Sequence, residues 1–190
     1  MQTWIDREQR PGDGRIQRGI AMSEQRRLLV AIDGSPAAEE AIRYVGTMMA
    51  GLSSVQVHLL HVLPPVPPRF REHGGAGSAA EEQALGDQLE VDRDDWAREQ
   101  VNLSQPLFAE AESILAEAGL ATKALEEECR LPTGTEQLSE ICVKAAQAAG
   151  CDTIVVGRKS FSWLGELWHQ HLCHEIVQRA GGMTVWIVCT

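Results

Sequence analysis

Cys151-Asp152-Thr153-Ile154-Val155-Val156-Gly157-Arg158-Lys159-Ser160 joins an apolar, β-branched run to a turn that holds one glycine and three polar side chains. Residues 153–156 read as a buried strand. The segment behind them has the length and place of a phosphate-cradling loop but lacks most of its glycines, and after nine further residues it reaches Gln170-His171. An earlier apolar run at 28–32 ends in Asp33-Gly34-Ser35. Two such strand ends predict a nucleotide-type crevice between parallel strands, because ligands of open α/β sheets settle outside the carboxyl ends of strands where the connections reverse.

On either side of these stretches, helix and strand patterns alternate. Residues 27–32 form the first strand, and Ser35-Pro36 supplies an N-cap and a first helical position. The helix at 37–49 puts Ala41, Ile42, Val45, Met48 and Met49 on one stripe, and Gly51 ends it. Residues 55–62 read as a buried strand that Pro64-Pro65-Val66-Pro67-Pro68 cannot extend. Residues 69–95 are polar, with Gly74, Gly75 and Gly77, and read as a mobile loop leading into a helix at 96–118. That helix has Leu103, Leu107, Ile114 and Leu115 as its apolar positions, Pro106 as a kink or a late start, and Gly119 as its stop.

Residues 121–130 are a weak strand; their acidic run Glu126-Glu127-Glu128 suits the edge of a sheet. The helix at 133–149 turns Leu138, Ile141, Cys142 and Ala145 inward and stops at Gly150. The helix at 164–180 uses Leu164, Leu167, Leu172, Ile176 and Val177, and Gly181-Gly182 closes it before a last apolar strand at 183–189. Alternation of this kind implies a parallel sheet covered on both faces.

A chain of 190 residues fits one domain of ordinary size. Residues 1–25, charged and with Pro11, Gly12 and Gly14, read as a disordered or loosely attached tail, with the domain at 26–190. Met22 offers an alternative translation start that would remove most of this tail. A net charge of −10 argues against nucleic acid and membrane surfaces, which are reached through clustered Lys and Arg. No apolar run approaches the roughly 20 residues that span a bilayer, and residues 1–10 are polar where a secretory signal is apolar, so a cytoplasmic protein is expected. The cysteines Cys129, Cys142, Cys151, Cys173 and Cys189 contain no C-x-x-C pair and read as buried free thiols.

In order and spacing, four stretches resemble the universal stress protein family: residues 28–35, Leu60-His61-Val62, residues 151–157, and Thr184-Val185-Trp186-Ile187-Val188. The resemblance covers residues 26–190. It implies a flavodoxin-like (adenine nucleotide alpha hydrolase-like) α/β fold, a five-stranded parallel sheet of order 3-2-1-4-5 with helices on both faces. It also implies a homodimer paired through the strand at 183–189, since a bare apolar edge is an aggregation hazard that pairing removes.

ATP-binding members of that family carry G-x-x-G, nine residues, then G-[S/T], with a first-strand Asp and a second-strand Val on ribose and adenine. Carried over, the pattern makes Asp33, Val62, Gly157, Ser160 and His171 the cofactor-binding candidates, and ATP or AMP the implied cofactor. Ser160 stands in place of the second glycine, Gln170 of the third, and His171 of the Ser or Thr. Glycine at such places permits φ above zero and close backbone approach, which Gln disfavours. The expectation is a non-enzymatic regulatory or stress-response module with weakened or lost ATP binding, acting through dimerisation and an unknown protein partner. The alternative is an adenine-nucleotide sensor or slow ATPase in which Arg158, Lys159, Ser160 and His171 donate to phosphate at a helix N-terminus.

Other constellations have plainer readings. His169 and Cys173 stand four apart, His171 and His174 three apart, but the two pairs point in different directions and a metal would need further ligands. No metal site is assigned. Cys173 could be half-exposed beside these histidines, with its thiol pKa lowered by an imidazolium. Phe161, Trp163 and Trp168 cluster near the crevice, where packing is the plain reading against a plug or a partner surface. His58 and His61 point to opposite faces of their strand. No nucleophile elbow or Ser/Cys–His–acid order is present, so no catalytic residue is assigned.

Overall fold

The computed structural model describes residues 26–52, 54–70, 78–120, 125–158 and 167–190, without the side chains of 167–171. The tail expected at 1–25 lies outside them. In chain order the elements are β1 (Arg26–Ile32), α1 (Pro36–Met49), β2 (Val55–Val62), a short 3-10 turn (Pro68–Phe70), α2 (Ala79–Glu117), β3 (Leu125–Arg130), α3 (Leu138–Ala148), β4 (Thr153–Arg158), α4 (Leu167–Arg179) and β5 (Thr184–Cys189). The strands form one sheet in the order β3-β2-β1-β4-β5, and every neighbouring pair is parallel.

Side-chain alternation divides the core in two. Leu28, Val30, Ile32, Val57, Leu59 and Val155 pack on one face with Ile42 and Val45 of α1 and Phe108 and Leu115 of α2. Leu29, Leu60, Ile154 and Val156 pack on the other with Cys142 and Ala146 of α3 and Ile176 of α4. Burial on both faces is why the central strands read as unbroken apolar runs. The parallel pairs β1–β2 and β1–β4 put the reversal of connection direction between β1 and β4, as the two polar strand ends predicted.

Several expectations are corrected. Residues 79–95 belong to α2, a single helix of 39 residues that runs through an exposed Pro106. Its start is fixed by Ser78, whose Oγ accepts from Glu81 N at 3.3 Å. Leu103, expected inward, is 65% exposed. The buried arc of α2 is narrower than the pattern suggested, and the same holds for Met48 in α1 and Val177 in α4, both exposed at the rims of their stripes. Helix α3 starts at Leu138 rather than 133, because Thr133 Oγ1 donates to Glu136 Oε2 at 3.1 Å and the segment before it turns instead. Among the described residues no helix is long and apolar enough to cross a membrane.

Candidate functional site

The turn after β1 is built by its own side chains. Asp33 Oδ1 accepts from Ser35 N at 2.9 Å, and Ser35 Oγ accepts from Ala38 N at 3.2 Å, so the carboxylate orders the turn and the serine caps α1. Gly34 takes φ +73, the left-handed conformation that this tight reversal needs. The second carboxylate oxygen of Asp33 has no protein partner among the described residues. His61 Nδ1 donates to the Ile32 carbonyl at 2.9 Å, which pins the end of β1 to β2 and gives His61 a structural role.

Next to this turn lies a crevice of about 630 Å³, counting its open mouth, at the carboxyl ends of β1, β2 and β4. Asp33 and Ser35 stand at its polar side, while Ala31, Leu60, Val62 and Val156 from the sheet and Leu138, Cys142 and Leu172 from α3 and α4 form an apolar wall. Its place, outside the carboxyl ends of strands where the connections reverse, is where sheets of this kind take their ligands. Asp33, Val62 and Gly157 are therefore brought together. Ser160 lies outside the described residues, as do the side chains of Gln170 and His171.

Gly157 also faces α1. A Cβ there would stand 2.1 Å from the Ala37 carbonyl oxygen and 2.7 Å from Ala38 N. The glycine is thus required by packing before any ligand is considered. The sequence reading did not single out Leu138 or Leu172 as crevice residues. Leu138, expected inward, is 43% exposed and opens α3 at the mouth of the crevice.

The buried thiols are quiet. Burial pushes Cys142 up to about 12, and burial also raises Cys173 despite the opposing charge of Arg158. Cys173 is buried, not half-exposed, because the α4 stripe turns it into the core. His174, one residue on, is exposed and within 2.8 Å of Gln178 Nε2. The expectation of buried thiols fails for Cys189, exposed on the edge strand, and in part for Cys129. Among the described residues, no three His, Cys, Asp or Glu side chains are grouped so as to hold a metal. Phe161 and Trp163, and the side chains of Trp168 and His169, lie outside the described residues. His58 and His61 do face opposite sides: His58 Nε2 is 2.6 Å from Glu128 Oε2 and its Nδ1 is 3.3 Å from Glu126 Oε2, at the β3 edge.

A doubly wound sheet with a crevice where its connections reverse defines a flavodoxin-like α/β protein. Residues 24–187 match the sequence profile of the Universal stress protein family, and the chain belongs to that family. Among solved structures it is similar to hypothetical protein MJ0577, at 15% identity over 88% of this chain and 97% of that one, with a TM-score of 0.60. It is also similar to a universal stress protein in complex with cAMP, at 16% identity over 86% and 95% with a TM-score of 0.50. A universal stress protein from Archaeoglobus fulgidus gives 17%, 86% and 92%, and 0.50. At such identities the likeness is one of fold. No curated protein matches the sequence.

Proposed function

We propose that this universal stress protein is a cytoplasmic regulatory module that works by pairing with a second copy and with another protein, and that its crevice holds ATP only weakly. One observation carries the reading: the crevice is in place around Asp33, Val62 and Gly157, while the loop that should wrap the phosphates has Ser160, Gln170 and His171 where the family's nucleotide binders have Gly, Gly and Ser or Thr. A side chain where glycine is needed costs roughly 1–3 kcal/mol per site, and two such sites amount to orders of magnitude in affinity. The carboxylate of Asp33 suits a ribose hydroxyl and the apolar wall suits a purine, so the adenosine end keeps its fit.

Dimerisation would use the strand at 183–189. β5 is an edge strand with Ile187 exposed, and a row of unpaired backbone groups beside apolar side chains favours strand pairing. Neither nucleic acid nor membrane is a partner of so acidic a chain.

Titration calorimetry with adenosine, AMP and ATP tests the crevice. The expected outcome is weak binding of all three, with ATP gaining less than about tenfold over adenosine, or about 1.4 kcal/mol. Tight ATP binding that disappears in Asp33→Ala would reverse the reading. A second reading, an adenine-nucleotide sensor or slow ATPase using Ser160 and His171 on the phosphates, is supported by the position of the crevice beside Asp33 and by the cAMP complex of the similar protein.

A further inference from the structure

The first half of α2 is a helix that the domain does not bury. Its buried residues, Ser104, Phe108, Ala111, Ile114 and Leu115, all lie in the second half. Yet the first half is not uniformly polar. At about 100° per residue, Leu85, Leu89, Trp96 and Leu103 fall within about 40° of one another. Leu89, Trp96 and Leu103 repeat every seven residues, the spacing by which one helix packs along another. Leu85 is 39% exposed and Leu103 65%. The line continues into Leu107, which packs on the core, so the stripe runs out from the body of the domain. Phe70 of the 3-10 turn lies against Trp96, with ring centroids 6.1 Å apart, and covers only part of it.

Charge determines what such a stripe can accept. Residues 79–103 hold eight carboxylates and two arginines, a net of −6 in a chain of −10. On the helix surface Glu81, Asp92, Asp95, Glu99 and Glu110 form a row beside the leucines, within about 60° of arc. The arginines lie elsewhere, Arg93 beside Glu90 and Asp94, Arg98 reaching only Asp95. Asp92, Glu99 and Glu110 have no cationic partner among the described residues. A second copy of the same arm would bring like charge against like charge, which is unfavourable along a helix pair.

We infer that residues 79–103 of α2 form a docking surface for a cationic amphipathic helix of a partner protein, whose apolar face would cover Leu85, Leu89, Trp96 and Leu103 and whose basic side chains would answer the acidic row. The inference rests on the reading of the chain as a partner-binding module and supplies its surface and the class of partner.

Fluorescence anisotropy of the full chain with a labelled synthetic peptide of leucine and lysine, leucine at heptad positions a and d, tests it. Binding is expected, and raising the salt from about 0.05 M to about 0.5 M should weaken it at least tenfold by screening. The double variant Leu85→Ser with Leu103→Ser should lose at least tenfold and the charge reversal Glu99→Lys at least threefold, each with unchanged circular dichroism, since the altered side chains are not core. The inference is overturned by absence of binding, by equal binding of a peptide with the same residues in scrambled order, or by unchanged binding to either variant. It is also overturned if the leucine variant sediments as a smaller species, because the stripe would then join two copies. Sedimentation and ATP calorimetry on the same wild-type sample keep the failures apart: a dimer with weak ATP binding but no peptide binding removes the docking surface alone, whereas a monomer or a tight ATP binder removes the module reading.

Discussion

Ser139 on α3 is fully buried, and its Oγ donates to Glu175 Oε2 on α4 at 2.7 Å. The two helices that wall the crevice are thereby tied together over the face of the sheet that carries Leu29, Leu60 and Ile154. Losing the hydroxyl leaves a half-buried carboxylate short of a partner, a change of about 1–3 kcal/mol. Ser139→Ala is expected to lower the urea midpoint accordingly. An unchanged midpoint would mean that the helices hold without this bond.

Gly157→Ala is expected to destabilise by about 3 kcal/mol, since the added methyl meets backbone of the first turn of α1 rather than a side chain that can swing away. In a chain of this size that is a fall in Tm of roughly 6–12 °C. A thermal shift near zero would show that α1 can retreat from β4 freely. Retention of Gly157 is consequently weak support for nucleotide binding, because the fold demands it anyway.

Glu128 predicts a pH dependence. Burial pushes its carboxyl up, but hydrogen bonds from Arg130 at 2.5 Å and from His58, together with their charges, outweigh burial and hold it below the usual carboxylate range. A depressed folded value means stability that is complete above the unfolded value and lost as the pH falls through the folded one. Wild type and Glu128→Gln should therefore differ in urea midpoint above the unfolded carboxylate value of about 4.3 and converge as the pH falls below it. A gap that stays constant over that range would remove the carboxylate from the explanation.

Cys142 faces the crevice, yet its thiol is pushed up to about 12 by burial. Since the thiolate is the nucleophile, native protein treated with iodoacetamide at neutral pH should show Cys142 unmodified by peptide mapping, and unfolded protein should show it labelled. Labelling in the native state would point to an opening of α3.

The proposed pairing through β5 is open to a direct check. Ile187 is exposed, so Ile187→Lys should leave the fold intact and shift sedimentation from dimer to monomer at micromolar concentration. A wild-type monomer under the same conditions would dismiss the pairing.

Much of the fold was legible because its signals are local: β-branched runs made β1, β2, β4 and β5, and the acidic run made β3 an edge. The first half of α2 was missed although Leu85, Leu89 and Trp96 share a face, because charged residues outnumber them and none of them is buried against the domain. It is held by neighbours along the helix, such as Gln88 donating to Asp92 at 2.8 Å, and by the cap at Ser78. Ser78-Ala79-Ala80-Glu81 was the available sign, an S-x-x-E capping sequence inside a stretch dominated by glycine. In the crevice, Asp33 and Gly157 follow from their places at strand ends, and Val62 from the family resemblance. Leu138 and Leu172 come from helices whose angles to the sheet no local pattern encodes.

The two margins of the sheet are chemically unlike: β3 offers Glu126, Glu128 and Arg130, while β5 offers Val185, Ile187 and Val188. If two copies pair through β5 as proposed, a molecule adhesive along one border and forbidding along the other would find one mate and recruit no third, so that association would stop before it became a fibre.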